Sequence, residues 1–130
     1  MDDAVEELLR YLTVIRTGLP RLAIADTELG GQRIRAGEGA IAMLTAANHD
    51  ASVFAEPDRL DLARGSHQHV AFGFGVHQCI GQPLARAELR VALTELLAAF
   101  PDLALAEEPS DVDVRDEGII YGLHRLRVRW

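Results

Sequence analysis

Residues 72–81 of this 130-residue chain read FGFGVHQCIG, and this stretch decides how the whole fold is interpreted. Its glycines let the backbone turn tightly and approach a flat ligand closely. Cys79 lies just ahead of a predicted helix, whose positive end favours a thiolate, as would a protonated His77. Taken piece by piece, the stretch is a glycine-rich turn with a buried cysteine. Taken together, its residues at fixed spacing should arise on the order of once in ten million starting positions.

Hydrophobic periodicity divides the rest of the chain into two main helices and several short strands. Apolar residues at helical spacing predict helices over 4–13 and 83–100. Glycine turns predict hairpins over 21–44, and alternation predicts strands within 103–130. Residues 50–70 have no sustained period and are predicted to form a long irregular loop, which in a compact domain is usually functional or disordered. The sequence therefore predicts a single α+β segment with small antiparallel sheets.

The predicted helix 83–100 carries apolar residues on more than one stripe. A helix that is apolar over most of its circumference requires burial on several sides. One small domain does not supply that much cover, and an exposed apolar face would favour association with another chain.

Composition and charge exclude several classes of protein. The chain is 48% hydrophobic and 25% charged, as expected of an ordinary globular protein. No stretch is apolar enough to span a membrane, and the acidic start is unlike a secretory signal, so a cytoplasmic location is expected. The net charge of −7 disfavours nucleic-acid binding. With one cysteine, the chain forms no internal disulfide.

Residues 72–81 resemble the haem-binding loop of the cytochrome P450 family, a Phe-x-x-Gly-x-basic-x-Cys-x-Gly pattern. Residues 82–86, which read QPLAR, are similar to the helix that follows this loop in bacterial members. The resemblance implies that Cys79 is the axial ligand of the iron of haem b, iron protoporphyrin IX. It implies further haem contacts, namely propionate contacts from Arg21, His69 and His77, packing by Phe72, and close backbone approach at Gly73, Gly75 and Gly81.

Two more patterns resemble the family. Glu7 and Arg10 match its Glu-x-x-Arg pair, and Arg59 matches the arginine of its Pro-x-Arg segment before the cysteine. The resemblance implies a structural triad of Glu7, Arg10 and Arg59 that locks the irregular loop onto the first helix. Without the resemblance, Glu7 and Arg10 would be an ordinary surface ion pair, worth under about 1 kcal/mol.

A substrate-lining role is implied for three apolar residues. The strand that begins at Leu19 is similar to one that lines the substrate pocket in the family, and Ile119 and Ile120 fall near a second contributing turn. Each of these is equally well explained as a plain core position. The chain departs from the family at His49 and Ala51, where arginine and proline are common, and neither position is a haem contact.

The resemblance runs from Val5 to Trp130 and corresponds to only the C-terminal part of the P450 fold. The upstream part would supply the distal helix and most of the substrate pocket, so no catalytic residue is assigned within this chain. The implied parent reaction is that of a monooxygenase, which inserts one oxygen atom from O2 into a small organic substrate. A ferredoxin or flavin reductase would donate the electrons.

Three interpretations remain open from the sequence. The chain is a truncated piece of a monooxygenase, a non-catalytic module that binds haem or another protein, or an inactive remnant. We expect the isolated chain to be incomplete. A missing N-terminal part, or self-association, would cover the apolar face of helix 83–100.

Overall fold

The computed structural model describes residues 1–130 and contains three α-helices and eight short strands. Helix α1 spans Asp2–Leu12, α2 spans Leu44–Asn48 and α3 spans Gln82–Ala99. The strands are β1 Leu19–Leu22, β2 Thr27–Leu29, β3 Gln32–Ile34, β4 Gly39–Ala42, β5 Ala104–Leu105, β6 Asp113–Arg115, β7 Gly122–Arg125 and β8 Val128–Arg129. The fold is therefore a mixture of helix and small sheets. None of its helices has the length and apolar character needed to cross a bilayer.

The strands form four separate two-stranded antiparallel sheets. Strand β1 pairs with β4, and these two enclose the β2–β3 hairpin in sequence. The hairpin turn requires glycine, because Gly30 and Gly31 have φ of 59° and 78°. Near the C-terminus β5 pairs with β8 and β6 pairs with β7. Strand β1 begins at Leu19, two residues before the predicted hairpin region of residues 21–44. Each of its residues from Leu19 to Leu22 is paired with a residue of β4.

The main helices differ from their predicted bounds by one or two residues. Helix α1 begins at Asp2 and ends at Leu12, because Thr13 adopts a left-handed conformation with φ of 32°. Helix α3 begins one residue before Pro83, which occupies its first turn as expected for proline. Residues 50–70 contain no helix or strand.

The buried interior is small and mostly polar. Only 10 of the 130 residues are buried, and the apolar ones among them are Val5, Leu44 and Phe54. The accessible surface is 9485 Å², whereas a compact monomer of this mass exposes about 6,800 Å². No residue of α3 is buried, and its Leu84 side chain is 63% exposed. The apolar faces of α3 are therefore uncovered within this chain.

The buried carboxylate of Glu7 anchors the irregular loop to α1. Arg10 donates from Nε and Nη2 to the two Glu7 oxygens at 2.8 and 2.9 Å. Further donors come from the loop: the Asp61 amide at 3.0 Å, Arg64 Nε at 3.1 Å and the Ser66 hydroxyl. Burial alone would raise the pKa of Glu7, but these donors outweigh it and hold the pKa far below its usual value. We call these five residues the Glu7 cluster.

Arg64 is the second arginine whose side chain pairs with Glu7, so the predicted triad of Glu7, Arg10 and Arg59 is wrong in its last residue. The Arg59 side chain is 66% exposed and pairs with Glu56 at 3.3 Å. Only its backbone carbonyl faces inward, where it accepts from Arg10 at 3.4 Å and from Arg64 at 2.9 Å. Arg64 also donates to the carbonyls of Ala55 and Glu56. Its guanidinium thus joins Glu7 to three carbonyls of the loop.

Asn48 extends this network to the start of the cysteine loop. Its side chain is fully buried, donates to Thr13 Oγ1 at 2.8 Å and accepts from the Val70 amide at 2.8 Å. Its own carbonyl accepts from Arg10 Nη1 at 2.7 Å. Asn48 therefore ties the end of α1 to the backbone two residues before Phe72.

A second buried carboxylate, Glu6, joins α1 to α3 and to the end of the loop. Arg86 donates to its two oxygens from Nε at 2.6 Å and from Nη2 at 2.9 Å. His69 lies with Nε2 at 2.9 Å from Glu6, and its Nδ1 accepts from the Ala71 amide at 3.1 Å. That acceptor role leaves the proton on Nε2, which donates to Glu6. We call Glu6, His69 and Arg86 the Glu6 cluster.

The predicted propionate contact from His69 is therefore wrong. Its side chain is 1% exposed and both ring nitrogens are already engaged, so no donor remains for an external anion. Burial lowers the pKa of His69, and the opposing effect of Glu6 does not overcome it. The ring is consequently neutral near pH 7.

Removing Arg64 should unfold the loop, whereas removing Arg59 should not. Arg64→Ala removes one charged donor from the buried Glu7 carboxylate, which Arg10 still holds, and the loss of such a hydrogen bond costs about 1.5–3 kcal/mol. Arg59→Ala removes only an exposed pair and should cost under about 1 kcal/mol. Urea unfolding of the two variants measures the difference. Equal losses of stability would contradict the assignment of Arg64.

The stability should also depend on pH through His69. Because the pKa of His69 is lower in the folded chain than its ordinary 6.5, its contribution is complete above that pH and is lost as pH falls below it. We expect His69→Gln to flatten the decline in unfolding free energy between about pH 7.5 and 5. The groups that face His69 are Glu6, Arg86 and His67.

His124 is the control for this measurement. It is exposed, lies 3.8 Å from Glu117 and is not among the groups that face His69. His124→Gln should leave in place the part of the wild-type pH dependence that is assigned to His69. The same slope in the wild type and His69→Gln would refute the inference.

Candidate functional site

The cysteine loop closes on itself through its own backbone. The Cys79 amide donates to the Phe72 carbonyl at 2.9 Å, and the Gln78 amide donates to the Gly75 carbonyl at 3.0 Å. Gly73 and Gly75 have φ of 74° and 84°, a region that other residues rarely adopt. These bonds and angles place Cys79 beside Phe72, two residues before the cap of α3.

Gly81 is not required by the conformation of the chain. Its φ is −79°, and a Cβ there would lie 3.7 Å from Cys79 Sγ, an ordinary van der Waals distance. Any need for glycine at this position would come from a bound group rather than from the loop itself.

The Cys79 thiol is free and exposed and borders a hollow of about 340 Å³. The hollow lies between the segment after α1, strand β1, the start of α2 and the cysteine loop. Its lining residues are Val14, Ile15, Leu19, Arg21, Leu44, Ala71, Phe72, Gly73, Phe74, His77, Cys79 and Ile120. The walls are thus mostly apolar, with the thiol and two basic side chains as their polar groups.

Arg21 and His77 bring basic groups to the same hollow as the thiol. Both are exposed, and the side-chain hydrogen bond of Arg21 runs only to the adjacent Pro20 carbonyl, at 2.9 Å. Its remaining guanidinium donors face solvent or the hollow. The structure therefore brings together the predicted thiolate and two of the three predicted propionate contacts.

Two of the three predicted substrate-lining residues border the hollow, and the third lies elsewhere. Leu19 and Ile120 line the hollow, and Ile120 forms an isolated bridge with Ile15. Ile119 faces a separate shallow depression with Arg115 and Glu117. Its backbone carbonyl accepts from the Arg16 amide at 3.0 Å. Ile119 does not border this hollow, and its substrate-lining role stays a prediction.

Several residues of the site carried no assigned role in the sequence. Phe74 lies within the quoted stretch and is 88% exposed, and Val14 and Ile15 follow the first helix. The sequence does show several large apolar residues in a glycine-rich loop, which could have indicated their role. In the structure Ile80, in the same loop, is likewise 99% exposed. Exposed apolar groups concentrated in this way mark a binding surface.

These residues fit a haem with a thiolate ligand. No group of three or more His, Cys, Asp or Glu side chains could hold a bare metal ion. A single thiolate is a suitable ligand for iron that a macrocycle already holds. Apolar walls suit the macrocycle, and basic side chains suit its anionic propionates.

Comparisons with known proteins agree with this chemistry. A family model described as Cytochrome P450 matches residues 1–120. Cytochrome P450-SU2 of Streptomyces griseolus is 54% identical over 127 residues, which are 98% of this chain and 32% of that protein. The 20-oxo-5-O-mycaminosyltylactone 23-monooxygenase of Streptomyces fradiae is 46% identical over 127 residues, which are 98% of this chain and 30% of that protein.

Solved structures give the same result. CYP105P2 of Streptomyces peucetius, in complex with a biphenyl compound, superposes with a TM-score of 0.96 at 45% identity, over 99% of this chain and 33% of that one. The mycinamicin VIII C21 methyl hydroxylase of Micromonospora griseorubida, bound to mycinamicin VIII, gives 0.94 at 46% identity, with the same coverage. The chain spans about a third of the length of the relatives it matches. It belongs to the cytochrome P450 family.

Proposed function

We propose that the chain is the C-terminal part of a P450 monooxygenase and binds haem b through Cys79. The observation that carries this proposal is the free, exposed thiol in an apolar hollow that also presents Arg21 and His77. The order of the segments supports the C-terminal placement. The helix with Glu7 and Arg10 comes first, the anchored loop follows, and the cysteine loop leads into α3.

Each residue of the hollow would have a distinct task. Cys79 Sγ would bind the iron, Arg21 and His77 would neutralise the propionates, and the rings of Phe72 and Phe74 would pack on the macrocycle. Gly73 leaves the loop without a side chain where the ring approaches. When bound by a thiolate, haem supplies the activation of O2 that the family uses to insert one oxygen atom into an organic substrate.

The whole reaction belongs to a longer polypeptide in this proposal. The hollow is open to solvent, and productive oxygen chemistry requires that water be excluded. We therefore propose that this chain alone does not turn over substrate, and that the full-length protein takes electrons from a ferredoxin or flavin reductase. Two matching structures hold a biphenyl compound and mycinamicin VIII, so we propose no narrower class than a small organic substrate. The cytoplasmic location stays a prediction.

A second candidate is a non-catalytic module that binds haem or another protein. The chain exposes about 2,700 Å² more than a compact monomer of its mass, which is expected of a part of a longer protein and of a module with an unfilled binding face. Helix α3 contributes Leu84, Val91 and Leu97 to this surface. Size-exclusion chromatography separates the two candidates, since self-association through α3 would give an oligomer.

Haem titration of the purified chain tests the proposal. We expect haemin uptake and, after reduction under carbon monoxide, the absorption band of a thiolate-ligated haem. Cys79→Ala should abolish that band. Arg21→Ala should weaken haem affinity about tenfold, as expected for the loss of one charge-assisted contact worth about 1.4 kcal/mol.

Arg33→Ala is the matched control for Arg21→Ala. Arg33 lies on the neighbouring β2–β3 hairpin and pairs with Asp26 at 2.7 Å, outside the hollow. Its removal should leave haem affinity unchanged. A chain that takes up no haem, or a thiolate band that survives Cys79→Ala, would overturn the proposal.

A further inference from the structure

Phe72 is the residue that accepts the backbone amide of Cys79 across the loop. Its carbonyl accepts the Cys79 amide at 2.9 Å, and its ring is half-buried. The guanidinium carbon of Arg86 lies 4.9 Å from the centre of the Phe72 ring, and the His69 ring lies 6.3 Å from it. The side chain that orients this backbone bond is therefore packed against two members of the Glu6 cluster.

Arg86 is itself held in one orientation. Its Nε and Nη2 donate to the two oxygens of Glu6 at 2.6 and 2.9 Å, and Nη1 donates to Gln82 Oε1 at 2.8 Å. Because these bonds use the edges of the planar guanidinium, its face remains free to stack on an aromatic ring. An ammonium group could not hold both carboxylate oxygens and the ring together in this way.

His69 restrains the same segment through a hydrogen bond to its backbone. Its Nδ1 accepts from the amide of Ala71, the residue directly before Phe72, while Nε2 donates to Glu6. The Glu6 cluster thus restrains the backbone that enters Phe72 through His69, and the Phe72 ring through Arg86.

We propose that Arg86 is a positioning residue, which acts through Phe72 to hold the Cys79 amide bond and direct the thiol into the hollow. Glu6 and His69 orient Arg86 and the preceding backbone for this task. The inference deepens the proposed function, because any effect of Arg86 on haem ligation rests on haem binding at Cys79. Its effect on the Cys79 amide bond does not depend on haem.

The competing explanation is that Arg86 only fastens α3 to α1. Arg90, one turn further along α3, makes that kind of contact as well, since its Nη1 lies 3.2 Å from Asp2 Oδ1. Arg90 contacts neither Phe72 nor the cysteine loop. Arg90→Met therefore removes an exposed interhelical ion pair without any contact to Phe72, and Arg86→Met removes a largely buried one together with that contact. Because the buried pair costs more to break, the comparison of the two variants is read against a reference amide at the end of α1.

Amide hydrogen exchange of the chain without haem, followed by NMR, distinguishes the two explanations. We expect Arg86→Met to accelerate exchange at the Cys79 amide at least tenfold, with Arg90→Met close to the wild type. The Thr13 amide, which bonds to Leu9 at 3.2 Å, serves as an internal reference for general loosening. No change in Arg86→Met, or equal changes in the two variants, would overturn the inference.

Two further measurements keep the test decisive. Should Arg86→Met fail to fold, Phe72→Leu is the alternative, because it retains the Arg86–Glu6 ion pair and removes only the aromatic ring. The same acceleration of exchange at the Cys79 amide is expected. An unchanged exchange rate at that amide overturns the inference. In the haem-loaded chain, Arg86→Met should lower the thiolate-ligated fraction of the reduced carbonyl complex, and Arg90→Met should not. If the wild type takes up no haem, the proposed function fails, and amide exchange still decides the positioning role.

Discussion

The buried charge of Glu7 is the constraint on which the rest of the structure depends. A carboxylate removed from water is tolerated only when ionic partners and hydrogen bonds replace its hydration. In this chain the replacements come from α1 and from three places in the irregular loop, at residues 61, 64 and 66. Because each donor must be in place for the charge to be buried, the cluster selects one path for a segment that has no regular hydrogen bonding of its own.

The same helix uses two successive carboxylates for two tasks. Adjacent residues on an α-helix project about 100° apart, so Glu6 and Glu7 reach different elements. Glu7 holds the loop that precedes the cysteine, and Glu6 holds α3, which follows it, through Arg86. The cysteine loop is therefore fixed at both of its ends by one turn of α1. These ionic contacts lie beside only three buried apolar residues, Val5, Leu44 and Phe54.

Spacing along the sequence predicted side-chain directions only where the backbone is regular. Glu7 and Arg10 lie three residues apart on a helix, and they pair. Arg59 and Arg64 both lie in the irregular loop, where spacing does not determine which one turns inward, and the wrong one was chosen. The resemblance placed His69 at the haem, but its ring turns to Glu6. The C-terminal alternation predicted a strand, and Val128 and Arg129 of β8 do alternate between half-buried and exposed, but Trp130 lies beyond the strand and is 76% exposed, with its ring against Phe100.

The central claim is that Glu7 organises the whole loop rather than its nearest neighbours, and amide hydrogen exchange in Glu7→Gln tests it most directly. Only the Asp61 amide bonds to Glu7 itself, whereas the amides of Arg59, Arg64 and Val70 bond elsewhere. The account predicts that all four exchange faster together, while exposed Glu56→Gln leaves them unchanged. Faster exchange at Asp61 alone, with the other three at their wild-type rates, would contradict it.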